Sequence, residues 1–439
     1  MSADGLSMPP YITARGRDLR LDLLRGYFVF AMVIDHVCGS SPLQLLSGGN
    51  QFFTSAAEGF VLTSGLVAGL VYGRLVQRDG LARSLMKMLN RAAKLYLLTI
   101  SLTLAFLPFS EALHLPWATG TGGQSVVATI ISILTLHRTY FLADVMLIYT
   151  LLFLAAPLAL LLIDQGKRAW VLGGSWLLWG LFQLWPASAG LPWPIAGNGL
   201  FNFSAWQVIF FTGLAFGYGR KAMPVPAPRT ARWLLAATGV ALAALIGLFV
   251  ALRANALHGG ALDGLRVALQ TLFLDKADVR PGRLLATGVT FSFLFLAATV
   301  FWQPLQRALG WLLLAFGQHS LYAFTMHVGL VALAAIVLTP LGRSGGVPLW
   351  VNALVQASSV AALWLCVRFQ VLAPTPRTQR LYNLSPIALT VLAGLALFAI
   401  QTPLPLRLGN PPAVVTAGAA SAAAPQAGAG ADAAPPASG

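Results

Sequence analysis

The sequence predicts an all-α protein, a polytopic transmembrane bundle of ten or eleven helices. Three observations carry that expectation. Hydrophobic residues make up 57% of the 439-residue chain and charged residues only 9%, where a globular domain carries about 25% charged residues. The apolar runs are of helix-spanning length, roughly 17 to 25 residues, rather than the shorter alternating segments of a membrane barrel. The basic residues also fall mostly into loops on one side of the predicted spans, as the positive-inside rule requires.

Taken in order, spans are expected at residues 21–39, 52–73, 95–109, 140–163, 169–186, 204–219, 233–252, 284–303, 320–339, 349–369 and 385–402. Residues 1–20 form a cytoplasmic N-terminal segment, 21–402 the membrane domain and 403–439 a tail. With the N-terminus inside, eight of the 28 basic residues lie elsewhere: Arg138, Arg253, Arg266, Lys276, Arg280, Arg283, Arg343 and Arg407. The other twenty face the cytoplasm. The net charge of +15 is therefore a topology signal, and a nucleic-acid partner is not expected. Basic residues ahead of a short apolar core and the small residues after Cys38 imitate a secretory leader. Asp35 and His36 just before the would-be cut argue for a retained helix.

The second span carries Gly65, Gly69 and Gly73, a spacing that lets helices approach closely. A basic segment from Arg74 to Lys94 follows it. The apolar run Ser125–Leu136 is short for a span and is read as an outer re-entrant or interfacial helix. The outer loop 253–283 is the most charged and is expected to be partly helical. Beyond Pro411 the chain is mostly Ala, Gly, Pro and Ser, with one Asp and no aromatic residue. Such a composition cannot bury a core and predicts disorder. Cys38 and Cys366 both lie in apolar runs, which suggests no disulfide framework.

Ionisable groups inside a membrane segment are costly and usually face a bundle interior. Of 13 acidic residues, Asp35, Glu58 and Asp144 lie well inside spans, with His36, His327 and, at a span's start, His319. Arg25 and His36 are eleven helical steps apart, about three turns with ~20° left over, so they share one face roughly 16 Å apart. Histidine is the natural general base near neutral pH. A carboxylate would orient its ring, and the sequence leaves both Asp35, next in the chain but ~100° away on the helix, and Glu58, from the next span, as candidates. Ser320 and His327, seven apart, again share a face and could position a substrate, stabilise an oxyanion or simply pack. No HExxH, paired-cysteine, Walker, dinucleotide or nucleophile-elbow pattern occurs, so no metal is expected. A proton-coupled secondary transporter is the rival reading, because intramembrane Asp, Glu and His also build proton relays. The lack of a clear inverted repeat and the clustering near the first helices argue against it.

With these residues in place, Arg25-x10-His36 resembles the signature of the acyltransferase-three family of membrane proteins. Further stretches are similar to its OpgC-type branch, the succinyltransferases of periplasmic glucans. They are Arg20-Leu-Asp-Leu-Leu-Arg-Gly26, Ala57-Glu-Gly-Phe-Val-Leu-Thr-Ser-Gly65, Asp144-Val-Met-Leu-Ile-Tyr149, Phe201-Asn-Phe-Ser-Ala-Trp-Gln207 and Gly317-Gln-His-Ser-Leu-Tyr-Ala-Phe-Thr-Met-His327. The resemblance runs from about residue 18 to 370, most of the chain. The resemblance implies O-acyl transfer from cytoplasmic acyl-CoA, succinyl-CoA being one donor, to a hydroxyl of a periplasmic glycan, in a bacterial inner membrane. It implies His36 as the essential base with Glu58 or Asp35 beside it, and Arg25, Arg91 and Lys94 at the CoA end. Asp144, Ser320 and His327 would meet the substrate. Arg91-Ala-Ala-Lys94 departs from the family's Arg-x-x-Arg element, and a lysine binds phosphate as a point charge rather than a fork. A basic mouth suits the phosphates of coenzyme A.

Overall fold

A computed structural model describes residues 9–401 apart from 15, 38, 116, 119–121, 141, 192, 221, 225, 255–260, 343–346 and 374–378. The tail 403–439 and Cys38 thus lie outside the described residues. Among those described there are sixteen helices and no strand. They are α1 (Leu19–His36), α2 (Gln44–Ser47), α3 (Ala56–Asp79), α4 (Leu81–Ala112), α5 (Val126–Leu134), α6 (Ala143–Asp164), α7 (Arg168–Leu184) and α8 (Pro186–Ala189). They continue with α9 (Phe203–Gly217), α10 (Pro228–Arg253), α11 (Ala261–Leu274), α12 (Pro281–Val300), α13 (Trp302–Gln318), α14 (Ser320–Gly342), α15 (Leu349–Phe369) and α16 (Gln379–Gln401).

Seven of these, α3, α4, α6, α10, α12, α14 and α15, are long and apolar enough to cross a membrane. The chain is a multi-pass membrane protein. Helices α1, α3, α4, α6, α7, α9, α10, α12, α14, α15 and α16 each overlap one of the eleven expected spans, and α1 runs between two ends of the bundle. One end, the basic end, carries Arg20, Arg74, Arg91, Arg168 and Arg220; the other carries the end of α1 at His36. The short apolar run became α5, and the charged loop 253–283 contains α11, both as expected.

Two differences stand out. Helix α4 is 32 residues long, so much of the expected basic loop is the helix's first turns. Residues 302–318 form α13 rather than a loop. This helix stays at the basic end and crosses α1 at glycine contacts: a Cβ on Gly26 would stand 1.8 Å from the Leu313 carbonyl oxygen, and one on Gly317 1.7 Å from that of Asp22. Its amphipathic sequence, with exposed Trp311 and buried Leu313 and Phe316, lacks the apolar length that marks a span.

The glycine spacing in α3 is answered by Gly213 and Gly217 of α9. Added Cβ atoms on Gly65 and Gly69 would lie 2.2 Å from the carbonyl oxygens of Phe210 and Leu214, and one on Gly217 would lie 2.2 Å from that of Leu66. Helix pairing in lipid relies on such close backbone contact, since burial of apolar surface gains little there. Around α1, which is buried along most of its length, pack α3, α13 and α14. That central position places Arg25 and His36 in the interior.

Candidate functional site

Helix α1 starts on Asp18, whose carboxylate accepts the Arg20 backbone N–H at 3.1 Å and the Arg20 guanidinium at 2.7 Å. Arg20 is fully buried, also donates to Thr299 at 2.9 Å, and lies against the Tyr11 and Phe295 rings. It anchors the helix and is not a free surface charge.

One turn on, Arg25 opens into a cavity of about 280 Å³ lined by Arg91, Tyr72, Tyr149, Ser64 and Ser320. Its guanidinium donates to the Ser320 hydroxyl and sits 5.9 Å from the Phe60 ring. Tyr149 donates to Ser64 at 3.2 Å. Among the described residues, neither Arg25 nor Arg91 has a carboxylate within ion-pair distance, and Arg25 Nε is buried without a partner. Two unneutralised guanidinium groups in one cavity favour an anion with several oxygens. Lys94, expected beside them, is exposed and does not line this cavity; three positions from Arg91, it falls on the outward side of α4.

At the far end of α1, His36 Nδ1 lies 3.0 Å from His327 Nε2, the rings stacked at 28°. His327 Nδ1 lies 2.5 Å from the Phe324 carbonyl oxygen. A carbonyl only accepts. In the neutral pair His327 Nδ1 therefore carries the proton and donates it, His327 Nε2 accepts, and His36 Nδ1 is the donor to it. His36 Nε2 is left with its lone pair. No hydrogen bond among the described residues engages it, and the His36 side chain borders a pocket of about 110 Å³. Asp35, Asp144, Asn50 and Lys276 also line this pocket.

The arrangement corrects both expected orienters. Glu58 is fully buried, caps α3 through the Ser55 N–H at 3.0 Å, and pairs with Arg283 of α12, whose Nε lies 2.9 Å away. Asp35 accepts from the Ser47 hydroxyl. Neither carboxylate bonds the His36 ring; the side chain that does is His327. For Ser320 and His327 the structure shows the satisfied polar contacts that the sequence left open as one of three readings. They share a face of α14 as their spacing implies, but they hold Arg25 and His36 respectively. Asp144 reaches the pocket from the first turn of α6, its carboxylate accepting the Val145 N–H at 2.8 Å.

Sequence reasoning missed Lys276. It sits in the turn between α11 and α12, donates to Asn50 Oδ1 at 2.8 Å, and is the cation of the His36 pocket. Burial pushes its ammonium pKa down, against the pull of Glu58, Asp144 and Asp35. The turn is fastened from α7: Trp179 donates to the Val279 carbonyl at 3.0 Å and Gln183 to that of Asp278 at 2.7 Å. A lysine in a charged loop gave no sign of reaching inward, because the fold of that loop depends on α7. Among the described residues no cluster of His, Cys, Asp and Glu is arranged to hold a metal ion.

The two cavities lie in series on the same helices. Arg25 and His36 belong to α1, Phe60 and Ala57 to α3, Met146 and Val145 to α6, the first of each pair facing the arginine cavity and the second the histidine pocket. A cavity that carries two guanidinium groups among largely apolar walls and a pocket bordered by His36 thus draw on the same three helices. A family model described as OpgC protein matches residues 17–374 of the chain. No curated protein and no solved structure matches it.

Proposed function

The chain belongs to the OpgC protein family, with an acyltransferase-like role in glucan modification, and from that premise we propose the reaction in its particulars. The donor is acyl-CoA, succinyl-CoA being the first to test, entering from the cytoplasm at the basic end of a bacterial inner membrane. The acceptor is a hydroxyl of a periplasmic glucan reaching the His36 end. The observation that carries this reading is the hydrogen-bond chain from the Phe324 carbonyl through His327 to His36, which leaves His36 Nε2 unprotonated in a pocket.

The CoA phosphates suit Arg25 and Arg91, and the pantetheine arm runs along α1 towards His36. The ~16 Å between those side chains' helical positions is a distance for an extended arm, not for direct contact. His36 Nε2 takes the proton of the acceptor hydroxyl as its oxygen forms a bond to the thioester carbonyl carbon. The Lys276 ammonium is placed to stabilise the oxyanion that develops, a contribution typically of about 10²–10³ in rate. On collapse the C–S bond breaks, and the imidazolium returns its proton to the departing CoA thiolate. His327 would hold the ring in the reactive tautomer throughout. Asp144 and Asp35 are placed to accept hydrogen bonds from neighbouring acceptor hydroxyls.

The test is acyl transfer from succinyl-CoA and acetyl-CoA to glucan by the purified full chain in lipid. His36→Ala should cut turnover by about 10²–10⁴, the usual share of a general base, while the protein remains folded and still binds acyl-CoA. Near-normal turnover in His36→Ala would overturn the mechanism.

A further inference from the structure

The pocket around His36 is narrow, and a chain of sugars held only by its reacting unit would be poorly oriented. Beside it at the same end lies a second cavity, of about 340 Å³, lined among others by Phe182, Trp193, Asn198, Asn202 and Asp278. This volume is at the lower end of the ~300–1,000 Å³ range of small-molecule sites. The two cavities share walls through neighbouring residues. Phe201 faces the His36 pocket and Asn202 the second cavity; Lys276 faces the His36 pocket and Asp278 the second cavity.

The cavity is built, not a surface gap. Its segment 193–198 is clamped to the chain before α6: Thr139 N–H donates to the Ala196 carbonyl at 2.8 Å and Ala196 N–H to that of His137 at 2.9 Å. Gly197 has φ +80°, and a Cβ there would stand 2.3 Å from the Thr139 carbonyl oxygen. Asn202 donates to Asp278 Oδ1 at 3.1 Å and Arg280 to Asp278 Oδ2 at 3.2 Å. The indole N–H of Trp193 is buried and has no partner among the described residues.

The chemistry of this wall is that of a neutral polyhydroxy ligand. An indole offers a flat apolar face together with one N–H donor. Asn198 is spent on the Phe201 backbone, but the Asp278 carboxylate and the Asn202 carboxamide keep lone pairs and an N–H beyond the bond they share, acceptors and a donor for vicinal hydroxyls. An anionic ligand would want a free cation, but Arg280 is already shared between Asp275 and Asp278 at 3.3 and 3.2 Å. Burial and the nearby Asp275 raise the Asp278 carboxyl pKa, Arg280 opposing them, so this site does not attract a second negative charge.

We propose that the Trp193–Asn202–Asp278 cavity is a subsite for a neutral sugar unit of the acceptor, next to the unit whose hydroxyl meets His36. It rests on the reading of the acceptor as a glucan. Because one loop carries Lys276 on one side and Asp278 on the other, a sugar held at Asp278 would register the chain against the reacting centre.

The test is direct binding of glucose and of a linear gluco-hexaose to the full chain in lipid nanodiscs, followed by saturation-transfer NMR. The hexaose should bind at least ten-fold tighter than glucose to the wild type. Trp193→Ala and Asp278→Ala should each weaken the hexaose at least ten-fold and bring it near glucose. Equal affinity for the two sugars in the wild type, or unchanged hexaose binding in both folded variants, overturns the subsite. Should Trp193→Ala not fold, Asp278→Ala decides alone. Hexaose binding that depends on Trp193 in a protein that transfers no acyl group would reject the reaction and leave the subsite standing.

Discussion

His36 and His327 lie 291 positions apart in the chain, yet their ring nitrogens are 3.0 Å apart. What matters at this scale is which nitrogen holds the proton, and a backbone carbonyl settles it. Replacing His327 with Leu should lower turnover by about 10- to 100-fold, part of the ~10²–10⁴ a general base supplies, with little change in the KM for acyl-CoA. Gln at this position can still accept from His36 Nδ1, so His327→Gln should recover part of the loss; steady-state kinetics with both variants checks the pair. Lys276→Met should lower kcat by about 10²–10³, and Lys276→Arg should restore some of it. Equal losses in Lys276→Arg and Lys276→Met would show that charge is not what the site uses. Arg25, His36 and Asp144 were legible because each is a costly group inside an apolar run. The partner of His36 was not, because a histidine can be oriented by a carboxylate or by another histidine, and only the packing of α14 on α1 decides.

Between elements, two kinds of contact hold the chambers open. Glu58 and Arg283 tie the start of α3 to the start of α12 with both side chains almost wholly buried. Removing one partner leaves an uncompensated charge, at a cost of about 3–5 kcal/mol. Arg283→Met should therefore lower the thermal midpoint sharply, and Glu58→Gln together with Arg283→Met should recover much of it. That non-additivity is measurable by thermal unfolding of the three variants in one detergent. The other contact is the glycine pairing of α3 with α9. Gly217→Leu should disrupt folding or give a polydisperse protein on size exclusion, since its Cβ meets backbone at 2.2 Å. Gly173→Leu, where an added Cβ meets nothing within 4 Å, should behave as wild type. The spans and the close-packing glycines were legible from apolar length and spacing. Arg283 read as a loop charge because the expected span begins at residue 284, just after it, and the tie to Glu58 is long-range. Helix α13 was missed because its apolar stripe is too narrow to announce a span.

Over the whole molecule, chemistry is divided between ends. Towards the basic end Arg25 and Arg91 share a cavity with no carboxylate at ion-pair distance among the described residues, and the far end holds the imidazole pair, Lys276 and the acids, joined by the shared faces of α1, α3, α6 and α14. If the acyl arm passes from one chamber to the other, a side chain at their junction is reachable only from inside that path. Ala57 is such a position, one turn from Phe60 on α3, facing the His36 pocket while Phe60 faces the arginine cavity. The chain has two native cysteines, and replacing Cys38 and Cys366 with Ser gives a background for labelling. A cysteine at Ala57 should react with a small methanethiosulfonate reagent and lose transfer activity as it does so. Saturating acyl-CoA should slow that labelling by ten-fold or more, whereas coenzyme A stripped of its pantetheine arm, as 3′,5′-ADP, should occupy Arg25 and Arg91 and protect little. The contrast follows from geometry: the phosphates stop at the arginines, and only the arm reaches Ala57. Equal protection by both ligands would mean that the two chambers communicate by a shift of the helices and not by the passage of the arm.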